Sequence, residues 1–266
     1  MLTIQELEQA SVTATQRSRE WHKARLGKFT GSLVGRLMKR GRGKDAEWSA
    51  DALAYIREVA AERLINPVVL DTDYLFDQYL MATDITNRAM QWGIDHESEA
   101  IEVFEAVAKQ SVTPCGCIRH PSLDCFADSP DGLLLNEGGV VEVKCPSLKQ
   151  HVQNAIEVTD GAGLKAVNDT YYWQVMAHMA VTGADFCAWL SYNPFAKPSL
   201  IATYIERNED EILAMLERIR QADAMCNDMV AKIRHFFEKR SGKTQHVSEV
   251  INELFELLKD GKNKRK

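Results

Sequence analysis

Residues 139–146 read GVVEVKCP. Val140, Val141 and Val143 mark an interior β-strand, because β-branched side chains suit a pleated, buried surface. Side chains two apart in a strand share a face. Glu142 and Lys144 therefore project together, while Val141, Val143 and Cys145 project the other way into a core. Upstream, ADSPDGLLL at 127–135 followed by NEGG at 136–139 reads as a β-hairpin with a Gly-rich loop. With that four-residue loop, Leu135 pairs with Val140, Leu133 with Glu142 and Asp131 with Lys144. Asp131, Glu142 and Lys144 then converge on one side of the hairpin, on condition that the register does not slip by one residue.

Two carboxylates and a lysine on an apolar hairpin are costly to bury without compensation. A divalent cation compensates. Mg²⁺ takes oxygen ligands and keeps several waters, so two convergent carboxylates suit it. A lysine beside such an ion can position or activate a water, or stabilise charge on a phosphate. That inventory suits hydrolysis of a phosphodiester. On spacing alone, a surface hairpin with a Glu/Lys pair and an Asp-Gly turn accounts for the residues equally well.

The chain has 266 residues, enough for one large domain or one domain with an appendage. The segments SLVGRLMKR at 32–40 and WSADALAYIREVAAERL at 48–64 predict helices. Ser32 is a candidate N-cap of the first. Asn66-Pro67 is expected to end the second. A long helix is expected over 85–109, interrupted or bent near Gly93. The period then changes. Short β-rich segments fall around 111–120, 125–135, 139–145, 185–192 and 199–206. A helix at 170–182 closes on Gly183 as its C′ residue. Two further helices are expected at 208–239 and 247–259, separated by SGKTQ. In the first of these, Ile212, Met215, Leu216 and Ile219 recur at helical spacing, for packing on the core or on a neighbouring subunit. The fold class is α/β or mixed α+β: a small mixed sheet flanked by helices, with a helical C-terminal extension. The boundaries are 1–207 for the main domain and 208–266 for the extension.

Net charge is −6, a weak argument against a nucleic-acid partner. The average conceals basic clusters in KRGRGK at 39–44, behind Arg25, Lys28 and Arg36, and in the tail KDGKNKRK. These could neutralise phosphates or simply be a solvated loop and a solvated tail. Six cysteines show no disulfide framework, and the favoured reading is buried reduced thiols. A thiolate metal site at Cys115, Cys117 and Cys125 is the minor alternative. No apolar run approaches the roughly 20 residues needed to cross a bilayer. The polar N-terminus lacks a secretory signal pattern, so the expected location is cytoplasmic.

Pro130-Asp131 followed by Glu142-Val143-Lys144 resembles the PD-(D/E)xK nuclease signature. WHKARLGKFTGS at 21–32, WGIDHE at 92–97, SPDGL at 129–133, EVKCP at 142–146 and YYWQVMAHMAVT at 171–182 sharpen it. In that order they resemble the phage lambda exonuclease family, also called YqaJ-type viral recombinases, over about residues 20–206.

The resemblance implies a restriction-endonuclease-like core. Asp131 and Glu142 would hold Mg²⁺, Val143 would offer its carbonyl, and Lys144 would position or activate the attacking water. Glu97 matches a helix glutamate at the metal site, with a solvated helix acid near Glu99 and Glu102 as its alternative. Two Mg²⁺ ions are implied, and Mn²⁺ could substitute. Arg25 matches the arginine that binds a terminal 5′-phosphate, to which a bidentate guanidinium is suited. Ser32 and Ser129 match hydroxyls lining that pocket, with helix capping the alternative for Ser32. Gln174 matches a glutamine that reaches the phosphate or the water, with a polar residue on a half-buried helix as its alternative. His178, one turn on, has no secure counterpart; Trp21 and His22 are read as structural.

The implied activity is Mg²⁺-dependent digestion of linear double-stranded DNA from phosphorylated 5′ ends, leaving a 3′ single strand for recombination. The implied partners are DNA ends, a single-strand annealing protein and two further copies in a trimeric ring, in a phage-infected or lysogenic bacterial host. An endonuclease on the same fold, or a catalytically dormant DNA-end scaffold, are the rival readings.

Overall fold

The computed structural model describes residues 15–43 and 47–263, with side chains of the final helix described as far as Lys239. The N-terminal segment 1–14, Lys44 of the basic loop and the side chains of the basic tail lie outside the described residues.

Helix α1 (Arg19–Arg25) is capped by Ser18, whose hydroxyl accepts from the Trp21 N–H. Strand β1 (Phe29–Thr30) leads directly into α2 (Gly31–Met38). Thr30 is the residue before this helix, so Ser32 lies inside the first turn and is not its cap. Helix α3 (Ala50–Glu62) closes before Asn66-Pro67. That dipeptide opens the next helix instead. Pro67 sits in the first turn of α4 (Pro67–Asp71), where its missing N–H costs nothing, and the Asn66 side chain accepts from the Val68 N–H. Helix α5 (Asp73–Thr83) follows, in a stretch with no sequence expectation. Helix α6 (Arg88–Ala108) runs through Gly93 without the expected interruption.

Among the described residues the strands form two sheets, not one. β3 (Phe126–Asp128) pairs in parallel with β1 and antiparallel with β2 (Ile118–Arg119). The second sheet has the order β4 (Gly132–Leu134), β5 (Gly139–Lys144), β6 (Phe186–Tyr192), β7 (Leu200–Glu206). β5 and β6 are parallel, which requires a long crossover. Helices α7 (Leu148–Glu157), α8 (Gly161–Val167) and α9 (Asp169–Thr182) supply it.

The hairpin register differs from the expected one. Leu133 pairs with Val140 and Gly132 with Val141, a shift of two residues. The turn is Leu135 to Gly138, with Gly138 at a positive φ of 73°. A shift of two preserves side-chain parity, so the faces are unchanged. Val141 and Val143 enter an apolar cluster with Ala100 and Phe104 of α6. Leu133 and Val140 enter the larger core on the other face with Val175, Met176 and Met179 of α9.

α9 is buried from Tyr172 to Thr182. Gly183 ends it in the left-handed conformation, φ 77°. The last helix, α10 (Glu209–Asn263), is a single helix; the expected break at SGKTQ is absent. Its first half joins the main core through Ile212, Met215, Leu216, Ile219, Ala222, Cys226 and Val230. These positions follow a 3.6-residue period, and Ile212, Met215, Leu216 and Ile219 therefore face their own chain. No helix among the described residues is long and apolar enough to cross a membrane.

Candidate active site

A cleft of about 1260 Å³ opens where β5, the segment before β4, α1, α6 and α9 meet. Asp131, Glu142, Val143, Lys144, Glu97, Gln174, Arg25, Ser32 and Ser129 all line it.

Strand β5 brings Glu142 and Lys144 to the cleft on the face shared with Val140, and the Lys144 ammonium donates to Glu142 Oε1. Lys144 also donates to Gln174 Oε1 at 3.0 Å and stands 4.6 Å from the Tyr171 ring centroid. Asp131 precedes β4, and its Oδ2 accepts from the Val143 N–H at 2.7 Å. Glu97 reaches the cleft from α6 and is paired with Arg17 at 2.6 Å.

Behind Glu142 lies a group that sequence reasoning set aside. His178 is 0% exposed, with Nε2 2.7 Å from Glu142 Oε2 and Nδ1 2.7 Å from Asp128 Oδ2. Two carboxylates facing one ring favour the imidazolium, which donates from both nitrogens. Burial opposes that charge, but Asp128 and Glu142 outweigh it and raise the His178 pKa to about 10. Burial would likewise raise the Glu142 carboxyl; Lys144 and His178 reverse this and hold it at about 2. Asp131 is pushed the other way. Burial, then repulsion from Glu142 and Glu97, raise it well above the usual carboxylate range against the pull of Lys144.

The signal for His178 was present: an imidazole one turn after Gln174, in the otherwise apolar run VMAHMAV at 175–181, must have a buried partner. Asp128 carried no such signal. Its neighbour Gly31 explains how it fits, because a Cβ there would stand 2.0 Å from Asp128 Oδ2.

The same cleft gathers hydrogen-bond donors. Arg25 donates from Nη1 to Ser129 Oγ at 3.1 Å and from Nη2 to Ser32 Oγ at 3.3 Å. The Trp21 indole N–H also donates to Ser129 Oγ, at 2.9 Å, and its ring lies 4.3 Å under the Arg25 guanidinium. Trp21, read from sequence as structural, is therefore part of this arrangement.

No three carboxylate, imidazole or thiol side chains among the described residues stand at closed metal-cage spacing. Mg²⁺ does not require that, since one or two carboxylates with waters and substrate phosphates suffice. Asp131 and Glu142 fit such an ion by their oxygen chemistry. A dication would also relieve the repulsion that Glu142 and Glu97 impose on Asp131. All six cysteines are free, and burial raises the thiols of Cys115, Cys117 and Cys125. Among the described residues these thiols form no metal-binding group of three, so the geometry lends nothing to the thiolate alternative.

The YqaJ-like viral recombinase domain matches residues 20–185, which include Arg25, Glu97, Asp131, Glu142, Lys144 and Gln174. The chain belongs to the YqaJ-like viral recombinase family. The crystal structure of an alkaline exonuclease, LHK-Exo, from Laribacter hongkongensis superposes with a TM-score of 0.66 at 26% identity, covering 84% of this chain and 99% of that one. The same enzyme in complex with dAMP gives the same values. A phage-related exonuclease from Haemophilus somnus 129PT shares the fold, with a TM-score of 0.59 at 14% identity over 77% of this chain and 96% of that one. No curated protein matches the chain by sequence. The family core is of the PD-(D/E)xK type, with small mixed sheets flanked by helices. The recombinase match ends before β6, so β6, β7 and α10 lie beyond it.

Proposed function

We propose that this recombination nuclease is a Mg²⁺-dependent exonuclease on linear double-stranded DNA. It would proceed 5′ to 3′ from phosphorylated ends and leave 3′ single strands for annealing. Family membership and likeness to alkaline exonucleases support the coarser statement, a nuclease acting in recombination. The observation that carries the finer one is the donor cluster of Arg25, Ser32 and Ser129, which opens on the same cleft as Asp131, Glu142 and Lys144.

Asp131 and Glu142 would hold the metal, with Glu97 and the Val143 carbonyl as further ligands. When bound, two Mg²⁺ ions would supply Lewis acidity toward phosphate oxygens and lower the pKa of a water; Mn²⁺ would substitute. Burial lowers the Lys144 pKa, but Glu142 and Asp131 more than reverse this, so Lys144 stays charged. A charged Lys144 acts as a donor that orients the attacking water or a phosphate oxygen, with Gln174 fixing its position. Arg25 would grip the terminal phosphate with two N–H groups, and Ser32 and Ser129 would add hydroxyl donors. That grip selects ends.

Residues 1–207 would carry the site of the exonuclease domain, and 208–266 would be a helical extension whose first half completes the domain's core. A single-strand annealing protein, a homotrimeric ring and a cytoplasmic site of action complete the proposal. A ring could line its channel with basic residues while acids face outward, which reconciles DNA binding with a net charge of −6.

The test is digestion of linear duplexes bearing 5′-phosphate or 5′-hydroxyl ends, with a closed circle and Lys144→Ala as controls. Rapid loss of the phosphorylated duplex alone, with the variant inactive, supports the reading. Cutting of the circle replaces it with an endonuclease; binding of DNA ends without any cleavage replaces it with a scaffold.

A further inference from the structure

The cleft mixes two chemistries. Besides the donors around Arg25, its lining includes an apolar lip. Met90 and Trp92 supply it from the start of α6, Leu148 from the start of α7, and Phe195 from the loop between β6 and β7. Phe195 is 77% exposed, more than any other aromatic side chain among the described residues. Its loop is nevertheless built to hold it. Asn193, itself buried, accepts the Phe195 N–H at 3.0 Å and donates its side-chain amide to the Pro146 carbonyl at 2.9 Å. The Asn193 N–H donates to the Ser199 carbonyl at 2.9 Å. The loop is thereby fastened to the end of β5, the strand that carries Glu142 and Lys144.

The Phe195 ring stacks on Trp92, centroids 6.0 Å apart and planes 28° from parallel. Trp92 in turn contacts His96, centroids 3.8 Å apart. A row of three rings thus ends at Phe195 beside the cleft. A nucleic-acid strand is charged along its backbone and flat and apolar at its bases. The donors and the rings that line the cleft match those two halves. The cleft also exceeds the roughly 300–1,000 Å³ of a small-molecule pocket, which leaves room for more than one nucleotide.

We propose that Trp92 and Phe195 form a stacking platform for unpaired bases of the strand whose 5′-phosphate lies at Arg25. This rests on the DNA-end reading above and extends it to the bases. Stacking tolerates any sequence, because every base has a π-face, and so it suits a nuclease that consumes whatever sequence it meets. It also adds binding that salt does not screen, which matters for a chain of net charge −6.

The test measures binding in chelator, so that no strand is cut. The probe is a 5′-phosphorylated duplex with a few unpaired terminal nucleotides, and a second probe carries abasic residues at those positions. The wild-type protein should lose about fivefold or more in affinity on the abasic probe, while Phe195→Ala binds the normal probe weakly and distinguishes the two by about twofold or less. Phe195→Trp should restore discrimination and Phe195→Leu should not. Equal binding by wild type and Phe195→Ala, or undiminished abasic discrimination by Phe195→Ala, overturns the platform while leaving the nuclease reading intact. The platform also falls if Phe195→Ala binds DNA normally but loses self-association in sedimentation, which makes the lip a protein interface. A wild-type protein that binds neither probe removes both readings.

Discussion

His178 Nε2 stands 2.7 Å from Glu142 Oε2, and both side chains are buried. This contact turns a strand glutamate into a fixed one. Glu142 Oε2 is held from behind while Oε1 is paired with Lys144 beside the cleft. Replacing His178 by Leu leaves Asp128 and Glu142 buried without their shared partner. Breaking a buried ion pair in this way costs about 3–5 kcal/mol. Chemical denaturation should show that loss for His178→Leu and a smaller one for His178→Gln, which keeps one donor.

The same ring makes stability depend on alkaline pH. Burial lowers the folded-state pKa of His178, but Asp128 and Glu142 more than reverse it and raise the pKa from 6.5 to about 10. A raised pKa means that the folded state binds the proton more tightly than the unfolded chain. The contribution is complete below pH 6.5 and is lost as pH rises through 10. The gap in denaturation midpoint between wild type and His178→Gln should therefore narrow across that window. A gap that stays constant would show the ring to be neutral at its site.

Gly31 sets the position of Asp128. Any Cβ at residue 31 falls 2.0 Å from Asp128 Oδ2, and Asp128 is 1% exposed. Gly31→Ala should cost about 1–3 kcal/mol by overpacking. It should also lower the His178 pKa in NMR titration, since the second carboxylate is displaced. An unchanged His178 titration would contradict this coupling.

Arg25 divides its guanidinium between two serines, at 3.1 Å and 3.3 Å. Lysine keeps the charge but not the fork. Arg25→Lys should reduce the preference for 5′-phosphate over 5′-hydroxyl ends by about tenfold or more, the worth of roughly 1.5–3 kcal/mol for a charged hydrogen bond. Measuring kcat/KM on both ends gives that ratio directly, and an unaltered ratio would locate the phosphate elsewhere.

Helix α10 is expected to be indispensable at its start. Met215 and Ile219 are fully buried in the main core. Met215→Ala should cost about 2–5 kcal/mol. A chain ending at 207 should fail to fold, because it uncovers that apolar face, whereas one ending at 239 should remain soluble. A soluble, active 1–207 fragment would contradict this packing.

Much of this was legible in the chain. The valines around Glu142 and Lys144 specify an interior strand, and strand parity alone puts those two residues on one face. Asp131 joins them despite the wrong register, because a shift of two leaves parity untouched. The periodic apolar residues of α10 announce a packed face. Gly183 marks the end of α9, since few other residues tolerate its positive φ. Local signals misled where one residue type has two uses. Asn66-Pro67 looks like a terminator but starts a helix, and Ser32 looks like a cap but faces Arg25. The segments that became α4, α5, α7 and α8 carried no expectation; α4 and α8 span only 5 and 7 residues, too short for a periodic pattern to show.

By itself the sequence determined the strand that bears Glu142 and Lys144, the face they share and the family to which the chain belongs. These follow from local spacing and ordered motifs. Only the tertiary structure decided that His178 lies between Asp128 and Glu142, which are 50 and 36 residues away in the chain. It alone brought the donors around Arg25 and the rings of Trp92 and Phe195 to one cleft. Such contacts depend on how β5, α9 and α1 pack in three dimensions. A buried charge reveals its partner only once the core around it has closed.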